Sequence, residues 1–577
     1  MKLLFNLQFL LLMTSTPWLS AQLPPILFEQ SKGIKSPAYP EIINWWKAID
    51  SQSVQVKMST LGMTDAGLPL HLVVISNDGD ADFNSIRRKN RRVILINNGI
   101  HPGEPDGIDA SMLLVRDIVA DKIKLPPSLV LAIIPVYNIG GCLDRSPDYR
   151  VDQNGPEEFG FRGNSQNLDL NRDFIKCDSR EARVFTELFH RIDPDVFIDN
   201  HVSNGADYQH VMTLICSQHN KLDGILGEYL NKEFEPGIYA LMKAKGYDLI
   251  PYVNAFGDKP DSGWPEFWDS PRYSSGFAAL WHCFSFIPES HMLKPYDQRV
   301  MATYELMLSF MDFTAANSEK IKILRSLAKK NTINQTEFPI QWSLDRTVFS
   351  ERIYKGYEAV YKPSEVSGRP RLYYDRSKPY QKSIPFFNQY RTQSTVSKPK
   401  AYIIPQGWWK VIDLLKLNQV QMVRMSKDTS FEVEVYHIEE YKSGARPFEM
   451  HHPNNEVRTR INKQFISFRK GDYYIPMNQE ANRFLFEVLE PKATDSYFAW
   501  NFFDGILGQK EGYSAYAFED IAAEYLKVHP ELRVKLDQKK ISDTAFAKNA
   551  RAQLNFVYEN SPWIEPSYLR YPVYRVN

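Results

Sequence analysis

The chain has 577 residues, 43% of them hydrophobic and 24% charged, which is the composition of an ordinary globular protein long enough to form several domains. Lysine plus arginine and aspartate plus glutamate both number 69, so the formal net charge is zero. This balance argues against a nucleic-acid-binding protein and against attachment to a charged membrane surface, so we expect no nucleic-acid partner.

The first 21 residues have the pattern of an export signal. Lys2 supplies the positive charge, Leu3–Met13 is mostly apolar, and Thr14–Ala21 is a polar approach to a cleavage site after Ala21. A hydrophobic first helix of the mature fold is the alternative interpretation. No other run approaches the ~18 apolar residues of a membrane span. The sequence therefore predicts an exported protein, periplasmic or extracellular, with no membrane span.

Residues 22–320 alternate between helical and strand-like patterns. A helix at Tyr39–Asp50 is followed by a hairpin of two strands, Val54–Leu61 and Leu68–Ile75. Further strands are predicted at Val93–Asn98, Leu129–Tyr137, Asp195–His201 and Ala278–Ile287. Further helices are predicted at Asp106–Ala120, Glu181–Ile192, Gly224–Lys245 and Gln298–Phe313. Such alternation is typical of an α/β domain around a largely buried central sheet.

The pattern weakens around residues 318–335, and we place a domain boundary there. Residues 335–577 differ in texture, with many aromatic residues and strand-like alternation. Tyr373–Phe387 is rich in proline and tyrosine and is interpreted as turns. Strands are predicted at Val420–Met425 and Phe431–Tyr436, and helices at Pro405–Asn418, Asn478–Leu489, Ala515–Leu526 and Asp543–Glu559. This part is predicted to be a C-terminal accessory domain of mixed α/β structure with a β-rich portion.

The four cysteines all lie in the first half, and none has the close spacing of a cysteine-based zinc site. An oxidising compartment would permit one or two disulfides. Cys216 and Cys283 lie in or near strand-like runs and could be neighbours in one sheet, but four cysteines allow three pairings, and buried free thiols fit the sequence equally well. The remaining two are Cys142 and Cys177.

A short loop after the Val93–Asn98 strand carries an imidazole and a carboxylate three residues apart, His101 and Glu104. Open α/β sheets bind their ligands at such carboxyl ends of strands. A second buried strand ends at His201, and two strand ends of one sheet can converge on one metal ion. Two imidazoles and one carboxylate suit a catalytic zinc with an open position. Read singly, each histidine would be a surface or core residue.

Two other polar clusters stand out. In the first, Asp169, Asn171 and Arg172 follow a loop rich in glycine and asparagine, and the planar arginine fork suits a carboxylate. Alone, this stretch would be a turn with a solvated arginine. In the second, Glu289 closes an apolar strand, where partial desolvation would raise its pKa and suit proton transfer. Alone, it could equally cap the next helix.

These four motifs, in this order across about residues 55–315, resemble the zinc carboxypeptidases of the carboxypeptidase A type, the M14 metallopeptidases. The motifs are the His-Pro-Gly-Glu loop at 101–104, the Asp-Leu-Asn-Arg run at 169–172, the strand-end His201 and the Pro-Glu-Ser-His run at 288–291. The resemblance implies an α/β fold with a mixed, mostly parallel eight-stranded sheet sandwiched by helices. It also implies one Zn²⁺ per chain.

The resemblance further implies roles for individual residues. His101, Glu104 and His201 would hold the zinc, and Glu289 would be the general base and acid for a zinc-activated water. Beside them, Arg162 would stabilise the oxyanion.

For substrate recognition, the resemblance implies that Asn171 and Arg172 bind the free α-carboxylate and that Tyr273 caps the substrate. Asp169 would orient His101, as carboxylates around metal sites commonly do. The spacing from Tyr273 to Glu289 is shorter than in the digestive enzymes of the family.

The chain is thus interpreted as an exported zinc carboxypeptidase that hydrolyses the C-terminal amide bond of a peptide or peptide-like substrate with a free carboxylate. Two alternatives stay open. One is an M14-like amidohydrolase acting on N-acyl amino acids or on cell-wall stem peptides. The other is a non-catalytic binding protein with a decayed site, against which the complete set of site residues argues. Arg272, near Tyr273, could favour acidic terminal residues or could point to solvent.

Overall fold

The computed structural model describes residues 23–257 and 259–577. The predicted signal peptide, residues 1–21, lies outside the described residues. Within the described ranges, no helix is both long enough and apolar enough to cross a membrane.

A central sheet of eight side-by-side strands organises the first half of the chain. The strand after residue 200, His201–Ser203, continues the line of Val196–Asp199 and pairs with the same neighbour. Four of the seven side-by-side pairings are parallel. In spatial order the strands are Val56–Met63, Pro69–Ile75, Leu129–Ile134, Arg92–Asn97, Val196–Asp199, Phe284–His291, Met212–Cys216 and Ile250–Pro251.

The inner strands are buried on both faces, so each reads as an unbroken apolar run. In Arg92–Asn97, for example, Ile94 and Ile96 point to one core and Val93 and Leu95 to the other, as a two-residue side-chain period requires. The first core is covered by helices of the first half alone. The second core is covered partly by the helix Arg180–Ile192 and partly by the second half of the chain.

The helices of the first half pack on both faces of this sheet. The longest, Tyr296–Ala316, lies against Asp106–Val119 on the first face. The α-helices of this half, within residues 23–257 and 259–334, are Leu27–Gln30, Tyr39–Gln52, Phe83–Arg88, Asp106–Val119, Ile139–Leu143, Arg180–Ile192, Gly224–Tyr229, Glu235–Ala244, Ser274–Ala279, Tyr296–Ala316 and Ser318–Asn334. This confirms the predicted fold class, a mixed and mostly parallel sheet between helices.

The second half of the chain is rich in β structure, as predicted. A six-stranded sheet contains Val423–Arg424, Tyr473–Pro476, Ala401–Ile404, Tyr574–Val576, Thr429–Ser443 and Asn454–Phe468 in that spatial order. Two antiparallel pairs stand beside it, Glu337–Leu344 with Tyr390–Ser397 and Ser350–Pro363 with Pro370–Phe387. Its helices are Trp409–Leu417, Asn482–Leu489, Ala515–Val528, Pro530–Ser542, Thr544–Ala547 and Ala550–Glu559.

One hydrophobic core runs through both halves. It joins Leu95 and Phe277 of the first half to Phe338, Phe484 and Trp500 of the second. The β structure is also continuous, because Trp264–Pro265 pairs with the end of the Pro370–Phe387 strand. The second half is therefore packed against the sheet rather than tethered to it.

Two predictions of secondary structure are wrong, and each has a physical reason. Ala278–Ile287 is not one strand, because Ser274–Ala279 is a short buried helix and the strand is Phe284–His291. Short runs that are apolar on all sides carry no periodicity to separate helix from strand. Tyr373–Phe387 is not a series of turns but most of a long strand, in which Pro379 lies beside a shift of register.

The stretch 318–335, where the sequence pattern weakens, forms the helix Ser318–Asn334. Its buried positions are spaced three and four residues apart, but three of the five are polar: Ser318, Arg325 and Thr332, beside Ile321 and Ala328. Because most of the buried positions are polar, the sequence lacks the apolar periodicity that would predict this helix.

All four cysteines are buried free thiols: Cys142, Cys177, Cys216 and Cys283.

Candidate metal centre and substrate cleft

Three potential metal ligands lie at the carboxyl ends of two neighbouring strands. His101 and Glu104 follow the strand Arg92–Asn97 in a tight turn, in which the Glu104 N–H donates to the His101 carbonyl over 2.8 Å. His201 follows Val196–Asp199, the next strand of the sheet. The two ends converge because parallel strands finish at the same edge of a sheet.

These three side chains are buried and face one another. Glu104 Oε2 lies 3.3 Å from His101 Nδ1 and 3.0 Å from His201 Nδ1. One ligand atom from each residue falls within 4.8 Å of the others, an arrangement that could hold a metal ion. The structure brings these three predicted residues together.

A carboxylate binds the Nε2 atom of each imidazole. His101 Nε2 lies 2.9 Å from Asp169 Oδ1, and His201 Nε2 lies 3.1 Å from Asp199 Oδ2. With Nε2–H donating to these carboxylates, each Nδ1 lone pair points toward Glu104. His101 Nδ1 is buried and makes no hydrogen bond. Two imidazole nitrogens and a carboxylate, one of them without a partner, fit a zinc ion.

The charges of this cluster depend on one another. Burial alone would lower the pKa of His201, but Asp199 and Glu104 outweigh it and raise that pKa well above the ordinary value. Burial opposes ionisation of Glu104, but His101 and Arg150 outweigh it and hold its pKa well below the ordinary value. Protons and a metal ion therefore compete for the same nitrogens.

Glu289 lies beside the cluster through strand pairing. It is directly opposite His201 in the ladder between Phe284–His291 and His201–Ser203. It is the one partly exposed residue of its strand. Burial raises its pKa to about 8, with a further rise from Glu104 and an opposing effect of His201. A carboxyl of this kind can take up and release a proton near neutral pH.

Two arginines approach Glu104 from the other side. Arg162 Nη1 lies 3.4 Å from Glu104 Oε1, while its Nε and Nη2 bind Asp169 Oδ2 at 3.0 and 2.9 Å. Arg150 Nη1 lies 2.9 Å from Glu104 Oε1. Nearly half of the Arg162 side chain is exposed, against 16% for Arg150. Arg162 is thus the more exposed of the two cations beside Glu104.

The turn Asp169–Arg172 links these groups to the predicted carboxylate-binding pair. Asp169 caps the turn by accepting from the Asn171 N–H over 2.9 Å. Asn171 Oδ1 accepts from the Ser274 N–H over 3.2 Å, which fixes the amide beside His201. Arg172 donates to the Asn171 carbonyl, and the Tyr273 ring lies 4.5 Å from its guanidinium carbon. The predicted site residues are therefore all brought together.

Several neighbours were missed by sequence reasoning. Asp199 had a usable signal, since residues two apart in an extended segment share a face and Asp199 precedes His201 in this way. Arg150 had none, because it comes from an irregular stretch far from any motif. Arg272 is neither free for substrate nor in solvent: its Nε and Nη2 bind the buried Asp495 at 2.8 and 2.7 Å.

A close backbone contact supports the two strand ends. A Cβ at Gly107, in the first turn of the helix Asp106–Val119, would lie 2.5 Å from the side chains of Asn98 and Asn200. Asn200 Nδ2 donates to Asn98 Oδ1 over 2.8 Å, so these amides tie one strand end to the other. A larger residue at position 107 would push the strand ends apart.

Comparison with known proteins agrees with this geometry. The model of the zinc carboxypeptidase family matches residues 42–203, a stretch that includes His101, Glu104, Arg162, Asn171 and His201 and ends before Glu289. Carboxypeptidase 2 of Trichophyton equinum is 20% identical over 433 residues, covering 70% of this chain and 72% of that protein. Carboxypeptidase 2 of Trichophyton rubrum is 21% identical over 464 residues, covering 75% and 78%.

Among solved structures, the chain is similar to carboxypeptidase A from Helicoverpa armigera, with 14% identity, a TM-score of 0.35 and coverage of 49% of this chain and 74% of that one. It is also similar to a metallo-carboxypeptidase from Pseudomonas aeruginosa, with 14% identity, a TM-score of 0.36 and coverage of 49% and 68%. The chain thus matches the zinc carboxypeptidase family over residues 42–203, and this match together with the named relatives supports a hydrolase of the peptidase class.

Proposed function

We propose that this protein is an exported zinc-dependent carboxypeptidase that releases single residues from the C-terminal end of peptides. The observation that carries the proposal is the position of Asp169. Its one carboxylate binds His101 of the metal cluster and Arg162 of the cleft wall, and it caps the turn that carries Asn171 and Arg172. A hydrolytic centre and a carboxylate-binding pair are thereby held within a single hydrogen-bonded unit.

His101, Glu104 and His201 would hold one zinc ion through Nδ1, Oε and Nδ1. When bound, the zinc ion supplies a Lewis acid that polarises the scissile carbonyl and acidifies water. The carboxylates of Asp169 and Asp199 keep both imidazoles in the tautomer that this binding requires.

Glu289 accepts the proton of the attacking water and then delivers it to the leaving amine. Its position opposite His201 and its partial burial support this role. Arg162 donates hydrogen bonds to the negative charge that develops on the carbonyl oxygen, since its guanidinium is the exposed cation next to Glu104.

Arg172 and Asn171 bind the terminal carboxylate, and Tyr273 covers the terminal residue. Arg172 supplies the planar fork that pairs best with a carboxylate. The Tyr273 ring already lies against this fork, so both groups are next to the place where the terminal residue would bind. Recognition of a free carboxylate limits cleavage to the chain end.

The proposal assigns hydrolysis to residues 22–320 and a supporting role to residues 335–577. Export rests on the N-terminal pattern of residues 1–21. It is tested by sequencing the N-terminus of protein recovered outside the cytoplasm, which should begin at Gln22; retention of Met1 in that fraction would contradict a cleaved signal.

The function itself is tested with a peptide library that varies the last residue. The zinc-loaded protein and its Glu289→Gln variant are incubated with the library, and the products are identified by mass spectrometry. We expect the unaltered protein to release single C-terminal residues. The variant should be slower by about 100-fold to 10,000-fold, the usual contribution of a general acid–base group, at equal zinc content.

Internal cleavage would contradict the proposal. So would hydrolysis of N-acyl amino acids or of cell-wall stem peptides in place of ordinary peptides, and that result would favour the amidohydrolase alternative. Blocking the substrate as a C-terminal amide is the matched control, because an amide lacks the charge that Arg172 and Asn171 would bind.

A further inference from the structure

A tight hairpin of the second half of the chain reaches the turn Asp169–Arg172. The hairpin lies at the end of the strands Thr429–Ser443 and Asn454–Phe468, and we call residues Phe448–His451 the tip hairpin. Phe448 N–H donates to the His451 carbonyl over 2.7 Å, and His451 N–H donates to the Phe448 carbonyl over 3.1 Å. Only two residues, Glu449 and Met450, connect this bonded pair.

The backbone of the tip hairpin is strained. Glu449 has φ of 49° and Met450 has φ of 69°, so both central residues lie in the left-handed region. Two-residue turns with positive φ at both central positions strongly favour Asn-Gly or similar pairs. Glutamate and methionine carry Cβ atoms that this conformation disfavours, and such strain concentrates at functional positions. A glutamate at this strained position therefore indicates a use for its side chain, because a glycine would adopt the same backbone without strain.

The side chain of Glu449 is directed at the site. Its Oε2 accepts a hydrogen bond from the Asp169 N–H over 2.9 Å, across 280 positions of sequence. The next contact of the hairpin, between His451 Nε2 and Asp178 Oδ2 at 2.9 Å, lies beyond the turn. Met450 is instead mostly in solvent, with 63% of its surface exposed. Among the residues of the tip hairpin, Glu449 therefore has the direct hydrogen bond to the site.

Asp169 transmits that contact to the metal cluster and to the carboxylate-binding pair. Its carboxylate binds His101 Nε2 and the Asn171 N–H, and its backbone N–H is the group that Glu449 holds. Fixing the N–H and the carboxylate together defines the orientation of the whole residue. Loss of the Glu449 contact would let Asp169 rotate, which would loosen His101 on one side and the turn bearing Arg172 on the other.

We propose that Glu449 is a positioning residue by which the second half of the chain sets zinc affinity and binding of the substrate's terminal carboxylate through Asp169. The part that concerns substrate rests on the function proposed above. The part that concerns zinc depends only on the contact between Glu449, Asp169 and His101.

The test compares Glu449→Ala with Glu449→Gln in the full-length protein, because glutamine keeps an oxygen acceptor where alanine has none. Zinc affinity is measured by competition with a chromogenic chelator, and KM and kcat are measured on a C-terminal peptide substrate at saturating zinc. We expect Glu449→Ala to raise the zinc Kd and the KM by about threefold to tenfold, the equivalent of one net hydrogen bond. The kcat should stay within about twofold, and Glu449→Gln should restore most of the loss.

Two further variants separate this role from general loosening of the hairpin. Met450→Ala removes an exposed side chain and should match the unaltered protein. His451→Ala breaks the contact with Asp178 in the same hairpin and should leave zinc affinity unchanged. Equal zinc affinity in Glu449→Ala and the unaltered protein would overturn the proposal, as would an equal loss in Glu449→Ala and His451→Ala.

The two proposals fail in distinguishable ways. If the unaltered, zinc-loaded protein releases no C-terminal residue, the proposed function fails. The zinc measurement then still decides the role of Glu449, because it needs no substrate.

Discussion

The metal cluster and the turn Asp169–Arg172, which we propose to be the carboxylate-binding turn, lie side by side but are built differently. His101, Glu104 and His201 follow strands whose positions are fixed by the hydrogen-bond ladders of the central sheet. The turn Asp169–Arg172 consists of a three-residue helical turn, Leu170–Arg172, and its cap Asp169, between irregular segments. Its neighbours are a loop residue, Tyr273, and the tip hairpin, which belongs to the second half of the chain.

This difference indicates which part of the site depends on the rest of the molecule. The sheet positions the hydrolytic groups by regular strand pairing. The recognition groups are positioned by individual contacts between irregular segments, the longest of which joins Asp169 and Glu449 across 280 positions. We therefore expect damage to the metal cluster to abolish the reaction outright, and damage around the turn to weaken substrate binding in graded steps.

The largest effect should come from removing a metal ligand. In His201→Ala the cluster loses one of its two nitrogen donors, so we expect no retained zinc after gel filtration and a loss of activity of at least about 1,000-fold, since the metal contributes several kcal/mol to catalysis. Zinc content is read by atomic absorption. His529→Ala, which alters an exposed histidine of the C-terminal helices, is the control and should keep its zinc. Stoichiometric zinc in His201→Ala would place the metal elsewhere.

A smaller effect is expected in the carboxylate-binding turn. Arg172→Met keeps the apolar stem but removes the charged fork, so KM should rise by about tenfold to 100-fold while kcat falls less, because a charge-assisted hydrogen bond contributes about 1.5–3 kcal/mol. Steady-state kinetics on one peptide measure both constants. Arg183→Met, on the outer side of the helix Arg180–Ile192, is the matched control. An unchanged KM would mean that Arg172 does not meet the substrate.

The junction between the two halves should contribute to stability rather than to chemistry. Asp495 is buried and accepts from the Arg272 backbone N–H, the Arg272 guanidinium and Trp500 Nε1. Asp495→Ala should lower the free energy of unfolding by about 2 kcal/mol, less than for a fully buried pair because Arg272 is partly exposed. Urea unfolding of the zinc-loaded protein measures it. The exposed Asp520→Ala is the control; equal midpoints for both variants would refute the prediction.

The mildest perturbation is a change of pH. Burial raises the pKa of Glu289 to about 8, and a bound divalent cation would favour its carboxylate and move that pKa below 8. The base must be deprotonated, so kcat/KM should fall by about tenfold per pH unit once the pH drops below this pKa. The profile is recorded from pH 5.5 to 9 with zinc content checked at each point. A flat profile at constant zinc would exclude Glu289 as the base.

Much of the hydrolytic site could be predicted from sequence because its residues stand at the ends of apolar strands. A buried apolar run followed by a polar residue is a local pattern, and His101, His201 and Glu289 all carry it. The convergence of these ends then follows from parallel pairing. Asp199 could also have been predicted, because it lies two residues before His201 on the same face of the extended chain.

The remaining contacts had no local signal. Glu449 and Arg150 come from irregular segments, and their partners lie far away in sequence. The Ser318–Asn334 helix was not predicted because Arg325 occupies a core-facing position. There it binds Asp193 and Asp195 in place of apolar neighbours. Packing between distant segments is a property of the folded chain, and no short window of sequence contains it.

Asp169 and Asp199, which bind the Nε2 atoms of the two histidines, also influence which metal ions the cluster can bind. With both Nε2 atoms engaged, the cluster offers two nitrogen donors and one carboxylate, in a buried space. Calcium and magnesium favour sites made of oxygen, calcium with six to eight ligands and magnesium with several retained waters. The arrangement would reject them by ligand chemistry alone, leaving selection among the transition metals to supply and coordination geometry.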